Sequence, residues 1–228
     1  MAESSDEERG EPRSGKEGDE EPAGAKREQA DLREDCRDRL ESRHAEDVPR
    51  SRSRGPALSA PLRVAVLTVS DRSFRGERED RGGPAVAEAA RRLLGAEVVE
   101  TQVVPDEKDD IVWHLTRFAD NVLVDVVLTT GGTGISERDV TPEATRSVIS
   151  LELPGLPEAM RAASRAALPS AMLSRQVAGI RGKTLVVNLP GSPRGAVECL
   201  EAIAAALPHA VAMLRGEGAE AHPAPLRA

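Results

Sequence analysis

The sequence predicts an α/β protein: a three-layer, doubly wound, mostly parallel sheet with helices on both faces, preceded by a disordered N-terminal tail. Aliphatic runs alternate with stretches of helical spacing, an order typical of parallel strands joined by right-handed crossovers. The runs are nearly continuous, as expected of strands that are buried on both faces. The tail is predicted from the composition of the first sixty residues, which differs sharply from that of the rest.

The first sixty residues carry 12 Lys and Arg against 17 Asp and Glu, with almost no aliphatic clustering. Such a segment buries too little apolar surface to offset the entropy lost on ordering its backbone. We therefore expect a disordered charged tail over 1–60, one folded domain over 61–217 and a frayed C-terminus over 218–228.

Composition also excludes several function classes. The net charge of −8 argues against a nucleic-acid-binding protein, and the short basic run at 50–54 is expected to be a solvated linker. No apolar run is long enough to span a bilayer, and no signal peptide precedes the domain. The two cysteines, Cys36 and Cys199, form no disulfide framework. We expect a cytoplasmic protein that binds neither nucleic acid nor membrane.

The first half of the domain contains three predicted strands with two helices between them. Aliphatic runs predict the strands at 62–69, 98–104 and 123–129, and a polar loop follows the first of them as far as Gly83. Pro84 suits the first position of a helix that ends at Gly95. Apolar residues at helical spacing predict the second helix; these are Ile111, Val112, Leu115 and Phe118.

The second half begins with the glycine turn, residues 131–134, and two short helices. Thr141 is expected to cap the first helix, 141–150, with Pro142 just inside it, and the second covers 156–167. Strand-like segments at 172–180 and 183–187 flank a turn and predict a hairpin. A rigid loop at 188–193 precedes a long helix at 195–207 and a last helix that starts at Pro208.

Polar motifs follow the strands where each of them ends. They are Ser70-Asp71, Asp106, the glycine turn with Asp139, and Asn188. In open α/β sheets ligands bind outside the carboxyl ends of the strands. Four strand ends that converge on one edge therefore predict a binding site there.

The glycine turn, Gly131-Gly132-Thr133-Gly134, predicts a phosphate cradle. Glycines let backbone N–H groups approach an anion, and the following helix adds the positive end of its dipole. The turn matches neither the Walker pattern nor the dinucleotide fingerprint. The alternative is a tight strand-to-helix turn without a ligand.

Two acids lie beside this turn in the predicted arrangement. Asp106 and Asp139 together would hold Mg²⁺ between phosphate oxygens, which fits transfer between phosphates. The alternatives are a helix N-cap for Asp106 and an Asx-turn for Asp139. Asn188 has an amide that could bind the edge of a heterocycle; its alternative is a loop cap.

At this point the sequence resembles a known family. The matching blocks are VLTVSD (66–71), VPDE (104–107), TTGGTG (129–134), RDVTPEAT (138–145), PG (154–155), AMLSR (171–175), GIRGKTLVVNLPGS (179–192) and ECLEAIAAALPHA (198–210). In order along the chain they resemble the molybdopterin adenylyltransferase family of molybdenum cofactor biosynthesis, most of all the G domain of gephyrin and its plant counterpart. The resemblance covers about 62–215.

The resemblance implies a compact, usually trimeric α/β enzyme that transfers AMP from ATP to the terminal phosphate of molybdopterin, with Mg²⁺ and release of pyrophosphate. A downstream molybdenum insertase would receive the product. The family's essential acids fall at Asp106 and Asp139, and Thr133 falls in the slot that contacts the ligand. Further binding positions fall at Ser70, Asp71, Asp80, Gly131, Gly132, Gly134, Ser164, Ser174, Asn188, Pro190 and Gly191.

Two alternatives stay open beside this reaction. The first is a non-catalytic module that only binds molybdopterin, against which the presence of both acids argues. The second is a scaffold protein, a role that gephyrin performs with a fused E domain not found in this sequence.

Overall fold

The structure, a computed structural model, describes residues 60–165 and 168–217. In this part of the chain six strands form one sheet in the order β2-β1-β3-β6-β5-β4. Their bounds are β1 Arg63–Val69, β2 Glu97–Val104, β3 Val126–Thr130, β4 Leu151–Glu152, β5 Ala178–Arg181 and β6 Thr184–Leu189. β1 pairs in parallel with β2 and β3, and β3 with β6, whereas β5 is antiparallel to both of its neighbours, β4 and β6. The mostly parallel sheet is confirmed.

The helices lie between the strands, as the sequence predicts. Their bounds are α1 Asp71–Phe74, α2 Gly82–Leu94, α3 Lys108–Arg117, α4 Thr141–Val148, α5 Gly155–Arg165, α6 Pro193–Ile203 and α7 Leu207–Arg215. A π-helical turn, Phe118–Val122, extends α3, and a 3₁₀ helix covers Pro169–Leu173.

Each face of the sheet is covered by a separate apolar cluster. Val64, Val66 and Leu128 point to one face, where they pack against α2, α5, α6 and α7. Their neighbours Ala65 and Leu67 point to the other face and pack against α3 and α4. This alternation follows from the two-residue period of a strand. The three-layer arrangement with helices on both faces is therefore confirmed.

Several predicted element bounds were wrong. β3 begins at Val126, because Leu123 adopts a left-handed backbone with φ 56° where the π-helical turn ends. The segment at 169–173 forms a 3₁₀ helix, so the hairpin consists only of β5 and β6. The loop after β1 contains the short helix α1, and the helix predicted at 195–207 covers Pro193–Ile203.

The predicted tail, apart from Ala60, and the predicted frayed C-terminus lie outside the described residues. Within 60–165 and 168–217, no single helix is both long and apolar enough to cross a membrane. Only α6 and α7 taken together reach that length and composition, and they are bent by 62° relative to each other.

Candidate active site

A cleft of about 940 Å³ opens at the carboxyl ends of β1, β2, β3 and β6. Seven residues that the sequence singled out line it: Ser70, Asp71, Asp80, Asp106, Gly131, Gly132 and Gly191. The predicted convergence of polar motifs on one edge is therefore seen for most of them. Thr133 and Gly134 complete the glycine turn, and Asp139 lies in the loop between that turn and α4.

The glycine turn is tightly held between the neighbouring chain segments. Gly131 has φ 106°, and a Cβ atom there would lie less than 3.0 Å from the carbonyl oxygen of Val69. A Cβ at Gly132, φ 61°, would approach the hydroxyl of Thr141 equally closely. Only glycine fits both the left-handed backbone and this close packing. The turn is thus shaped as a cradle with its backbone at the cleft surface.

Thr141 does not cap α4 as predicted. It is the first helical residue, fully buried, and its hydroxyl donates a 3.0 Å hydrogen bond to the carbonyl oxygen of Gly131. Its own N–H donates to the carbonyl oxygen of Gly132 at 3.2 Å. Thr141 therefore anchors the glycine turn to α4.

Asp71 and Asp106 hold the ends of β1 and β2 together. The N–H of Asp71 donates to Oδ2 of Asp106 at 2.7 Å, and the N–H of Asp106 donates to Oδ1 of Asp71 at 3.1 Å. Each carboxylate thus keeps one oxygen free of this reciprocal pair. Because Asp106 lines the cleft beside Gly132, its other oxygen is placed close to the glycine turn.

The pKa values of Asp71 and Asp106 are shifted in opposite directions. Burial raises the pKa of Asp106, and the charges of Asp71 and Asp139 add to this effect. Burial alone would also raise the pKa of Asp71, but hydrogen bonds from the Asp106 N–H and the Arg138 guanidinium outweigh it and lower that pKa. The ionised form of Asp106 is therefore disfavoured in this site, and a nearby positive charge would stabilise it.

Asp139 lies beside Gly134, at the end of the glycine turn farther from the cleft. A Cβ atom at Gly134 would be 2.9 Å from its Oδ2, and the same oxygen accepts a 2.8 Å hydrogen bond from the N–H of Ser136. This bond runs back to a residue three positions earlier, and the N–H of Asp139 donates to the carbonyl oxygen of Ser136 at 3.0 Å, so the contact closes the loop but is not the Asx-turn considered from the sequence. Asp139 still acts electrostatically on Asp106, so both acids belong to one edge of the sheet.

Two arginines that the sequence analysis missed brace this edge. Arg138 donates to both carboxylate oxygens of Asp71, at 3.0 and 2.9 Å, and to Glu107 at 2.8 Å. Arg175 donates to the carbonyl oxygens of Gly134, at 2.6 Å, and of Asp139. Both lie in blocks that carry the family resemblance, but the residue type alone does not distinguish a bracing arginine from a solvated one.

Asp80 and Ser70 also make internal contacts within the cleft. Oδ1 of Asp80 accepts hydrogen bonds from the N–H groups of Gly82 and Gly83 at the start of α2, and Oδ2 accepts from the Thr68 hydroxyl at 2.8 Å. The hydroxyl of Ser70 accepts from the Ser73 N–H and from Arg78. Asp80 therefore caps a helix while it lines the cleft.

Asn188 lies in the core and not at the cleft surface. It is fully buried, and its Nδ2 donates to the hydroxyls of Thr129 and Thr145 at 3.0 and 2.9 Å. Its Oδ1 accepts from the N–H of Val177 at 3.2 Å. With both amide atoms bonded to protein, the side chain joins β3, α4 and the start of the hairpin instead of facing a heterocycle.

The remaining predicted residues do not line the cleft. The hydroxyl of Ser164 lies 3.5 Å from Sγ of Cys199. The carbonyl oxygen of Pro190 accepts from the Thr130 hydroxyl at 2.8 Å. Ser174 precedes Arg175, whose N–H donates to the carbonyl oxygen of Thr133, and the Ser174 hydroxyl is buried without a hydrogen-bond partner. This serine is therefore next to the far part of the glycine turn.

Known proteins are similar to this chain in sequence and in fold. Residues 65–209 match a family model described as a probable molybdopterin binding domain. The molybdopterin adenylyltransferase of Helicobacter pylori is 44% identical over 68% of this chain and 89% of its own length. The molybdopterin adenylyltransferase of Escherichia coli K12 is 38% identical over 71% and 90%.

A solved structure agrees with the sequence relatives. The molybdopterin biosynthesis enzyme MoaB from Thermus thermophilus superimposes with a TM-score of 0.64 and 49% identity. The match covers 68% of this chain and 97% of that protein.

Proposed function

The chain belongs to the molybdopterin-binding family that includes the molybdopterin adenylyltransferases, and from this membership we propose the reaction it performs. It transfers AMP from ATP to the terminal phosphate of molybdopterin and releases pyrophosphate, a step of molybdenum cofactor biosynthesis. The observation that supports this best is the shared cleft of Asp106 and the glycine turn. A cradle for phosphates beside the half-buried carboxylate of Asp106 is suited to transfer between phosphates.

We assign the nucleotide's phosphates to the cleft side of the turn. There Gly131 and Gly132 line the cavity, and Ser70 and Gly191 complete its wall. Molybdopterin is assigned to the side of Thr133 and Gly134. The buried hydroxyl of Ser174 lies next to that side without a partner, so it is available to a polar group of the substrate.

Mg²⁺ fits the donor set of this edge. Magnesium prefers carboxylate oxygens and is usually held by one or two carboxylates together with substrate phosphates. Asp106 would supply one such oxygen, and Asp139 would supply a second through Oδ1, since its Oδ2 accepts from the Ser136 N–H. Within the described residues no group of three or more His, Cys, Asp or Glu forms a complete metal site, so phosphate oxygens would complete the coordination. Bound Mg²⁺ would neutralise charge on the phosphates.

The remaining assignments rest on the family. We propose a homotrimer in the cytoplasm whose product passes to a molybdenum insertase. We also propose that the catalytic domain covers residues 61–217.

Mass analysis of a mixture of the protein, molybdopterin, ATP and Mg²⁺ tests the reaction directly. We expect adenylylated molybdopterin and pyrophosphate from the wild-type chain. Asp106→Ala and Asp139→Ala should lower the rate by at least about a hundredfold with the fold intact, because each removes charge stabilisation from the transition state. Asp106→Asn and Asp139→Asn keep the acceptors for the Asp71 and Ser136 N–H groups, so they guard against a folding defect.

Asp110→Ala is the matched control, since Asp110 is exposed and distant in sequence from the turn. Normal turnover by Asp139→Ala would refute the assignment of that acid. Binding of molybdopterin without ATP-dependent pyrophosphate release would instead identify the chain as a non-catalytic module.

A further inference from the structure

Four arginines line one wall of the cleft, and the proposed reaction assigns them no role. They stand three residues apart along the segment that follows β1: Arg72, Arg75, Arg78 and Arg81. All four line the same cavity as Asp106 and the glycine turn. A guanidinium group offers a planar fork of donors that matches phosphate oxygens.

Two of the four arginines are paired with nearby acids. Nε of Arg75 lies 2.8 Å from Glu77, and Nε of Arg81 lies 2.9 Å from Glu79. Their charges are therefore largely compensated within the segment. Both pairs are exposed, so they contribute little to stability.

Arg72 and Arg78 make no ion pair within the described part of the chain. The side chain of Arg78 donates one hydrogen bond, of 3.2 Å, to the hydroxyl of Ser70. Ser70 is 8% exposed and directly follows β1, so this contact draws the guanidinium toward the base of the cleft. The carbonyl oxygen of Arg72 accepts from the N–H groups of Glu77 and Arg78, which closes the segment into a loop and holds both arginines near each other.

We propose that Arg72 and Arg78 form a subsite for the β- and γ-phosphates of ATP, and thus for the pyrophosphate that leaves. The proposal rests on the reaction proposed above. There an oxygen of the terminal molybdopterin phosphate bonds to the α-phosphorus of ATP. The bond from that phosphorus to the oxygen bridging to the β-phosphate breaks, and the oxygen leaves with the electron pair as part of pyrophosphate.

The two unpaired guanidinium groups suit this leaving group in charge and position. Negative charge grows on the bridging oxygen and the β-phosphate as the bond breaks, and fixed positive charge stabilises it. Asp106, which would hold Mg²⁺, lines the same cleft, so the arginines would compensate the phosphate charge without competing for the ion. The terminal phosphate of molybdopterin could bind the same guanidinium groups. The experiment must therefore distinguish it from the β- and γ-phosphates of ATP.

The test compares two double variants with the same change in charge. R72Q/R78Q removes the unpaired arginines, and R75Q/R81Q removes the paired ones. Pyrophosphate with Mg²⁺ is titrated into each protein by calorimetry at fixed ionic strength, because exposed charges are screened by salt. Initial rates give the KM values for ATP and molybdopterin and the inhibition constant for pyrophosphate.

We expect R72Q/R78Q to bind pyrophosphate about ten- to a hundredfold more weakly than R75Q/R81Q, the range for lost hydrogen bonds to charged groups. The inhibition constant for pyrophosphate and the KM for ATP should rise with it, and the KM for molybdopterin should not. Equal effects of the two double variants would refute the subsite, and a rise confined to the KM for molybdopterin would reassign it. If the wild-type chain makes no AMP adduct, the proposed reaction fails, whereas the pyrophosphate titration still tests the subsite.

Discussion

Replacing Gly132 by alanine tests whether the glycine turn is shaped by close packing or by backbone conformation alone. Gly132 has φ 61°, and Gly182 in the β5–β6 turn has nearly the same φ of 58°. A Cβ at Gly182 would meet nothing within 4 Å, whereas a Cβ at Gly132 would lie less than 3.0 Å from the Thr141 hydroxyl. The pair of variants therefore shares the backbone strain and differs in the contact.

The expected difference follows from the buried hydroxyl. A non-glycine residue in the left-handed region costs about 1–2 kcal/mol, and both variants bear this cost. In Gly132→Ala the Thr141 hydroxyl must also move, which breaks its hydrogen bond to the carbonyl oxygen of Gly131. A buried polar group left without its partner costs roughly 1–3 kcal/mol. We therefore expect Gly132→Ala to lose about 2 kcal/mol more free energy of unfolding than Gly182→Ala.

Urea unfolding followed by far-ultraviolet circular dichroism measures both free energies. At roughly 2–4 °C per kcal/mol for a domain of this size, the same difference lowers the melting temperature by about 4–8 °C. A double-mutant cycle isolates the contact, since Thr141→Ala removes the obstructing oxygen. In that background the atoms nearest to the new Cβ are Oδ1 of Asp106 and Cβ of residue 141, at 3.3 and 3.4 Å, so Gly132→Ala should cost only slightly more than Gly182→Ala does. Equal losses for the two glycines in the wild-type background, or no coupling between Gly132 and Thr141, would refute the reasoning.

Two further predictions concern the half-buried carboxylate of Asp106 and the buried amide of Asn188. Because the pKa of Asp106 is raised in the folded state, its ionised form lowers stability: the penalty is absent below the pKa of an unfolded aspartate, about 3.9, and grows to its full size as pH rises through the raised value. Urea unfolding of Asp106→Asn across pH should thus show a gain at pH 7 that disappears in acid, and a gain independent of pH would contradict this. Asn188→Ala removes hydrogen bonds to Thr129, Thr145 and Val177, at about 1 kcal/mol each, and should destabilise the protein by roughly 2–4 kcal/mol with KM values unchanged. A variant of normal stability with a raised KM would return Asn188 to the binding site.

Much of the fold could be predicted because parallel strands leave a strong pattern. The aliphatic runs that became β1, β3 and β6 are buried on both faces, so every position is apolar apart from Arg63 at the start of β1, a few threonines and one asparagine. The segment at 172–177 was harder, because its apolar residues have no regular period. Met172 and Leu173 prove exposed, in a 3₁₀ helix that Pro169 begins.

The binding residues were predicted less evenly, for a physical reason. Gly131, Gly132 and Asp106 lie just after predicted strands, so their place at the carboxyl edge of the sheet could be predicted from the sequence. Asn188 also ends a strand, but whether an amide faces a ligand or the core depends on partners from distant segments. The partner of Thr141 is likewise a carbonyl oxygen ten residues earlier, which no local pattern indicates.

The site is assembled by the register of the sheet more than by its loops. Val69 of β1 lies opposite Val104 of β2, so the residues that follow, Ser70 and Asp71, necessarily meet Asp106. Thr130 of β3 is likewise opposite Leu189 of β6. The glycine turn is consequently brought against Gly191, where a Cβ atom would lie 3.3 Å from Cα of Gly131. A shift of one residue in either pairing would turn the side chains of that strand to the opposite face and separate the acids from the turn. The same aliphatic side chains that form the two cores therefore place the residues that we propose as catalytic.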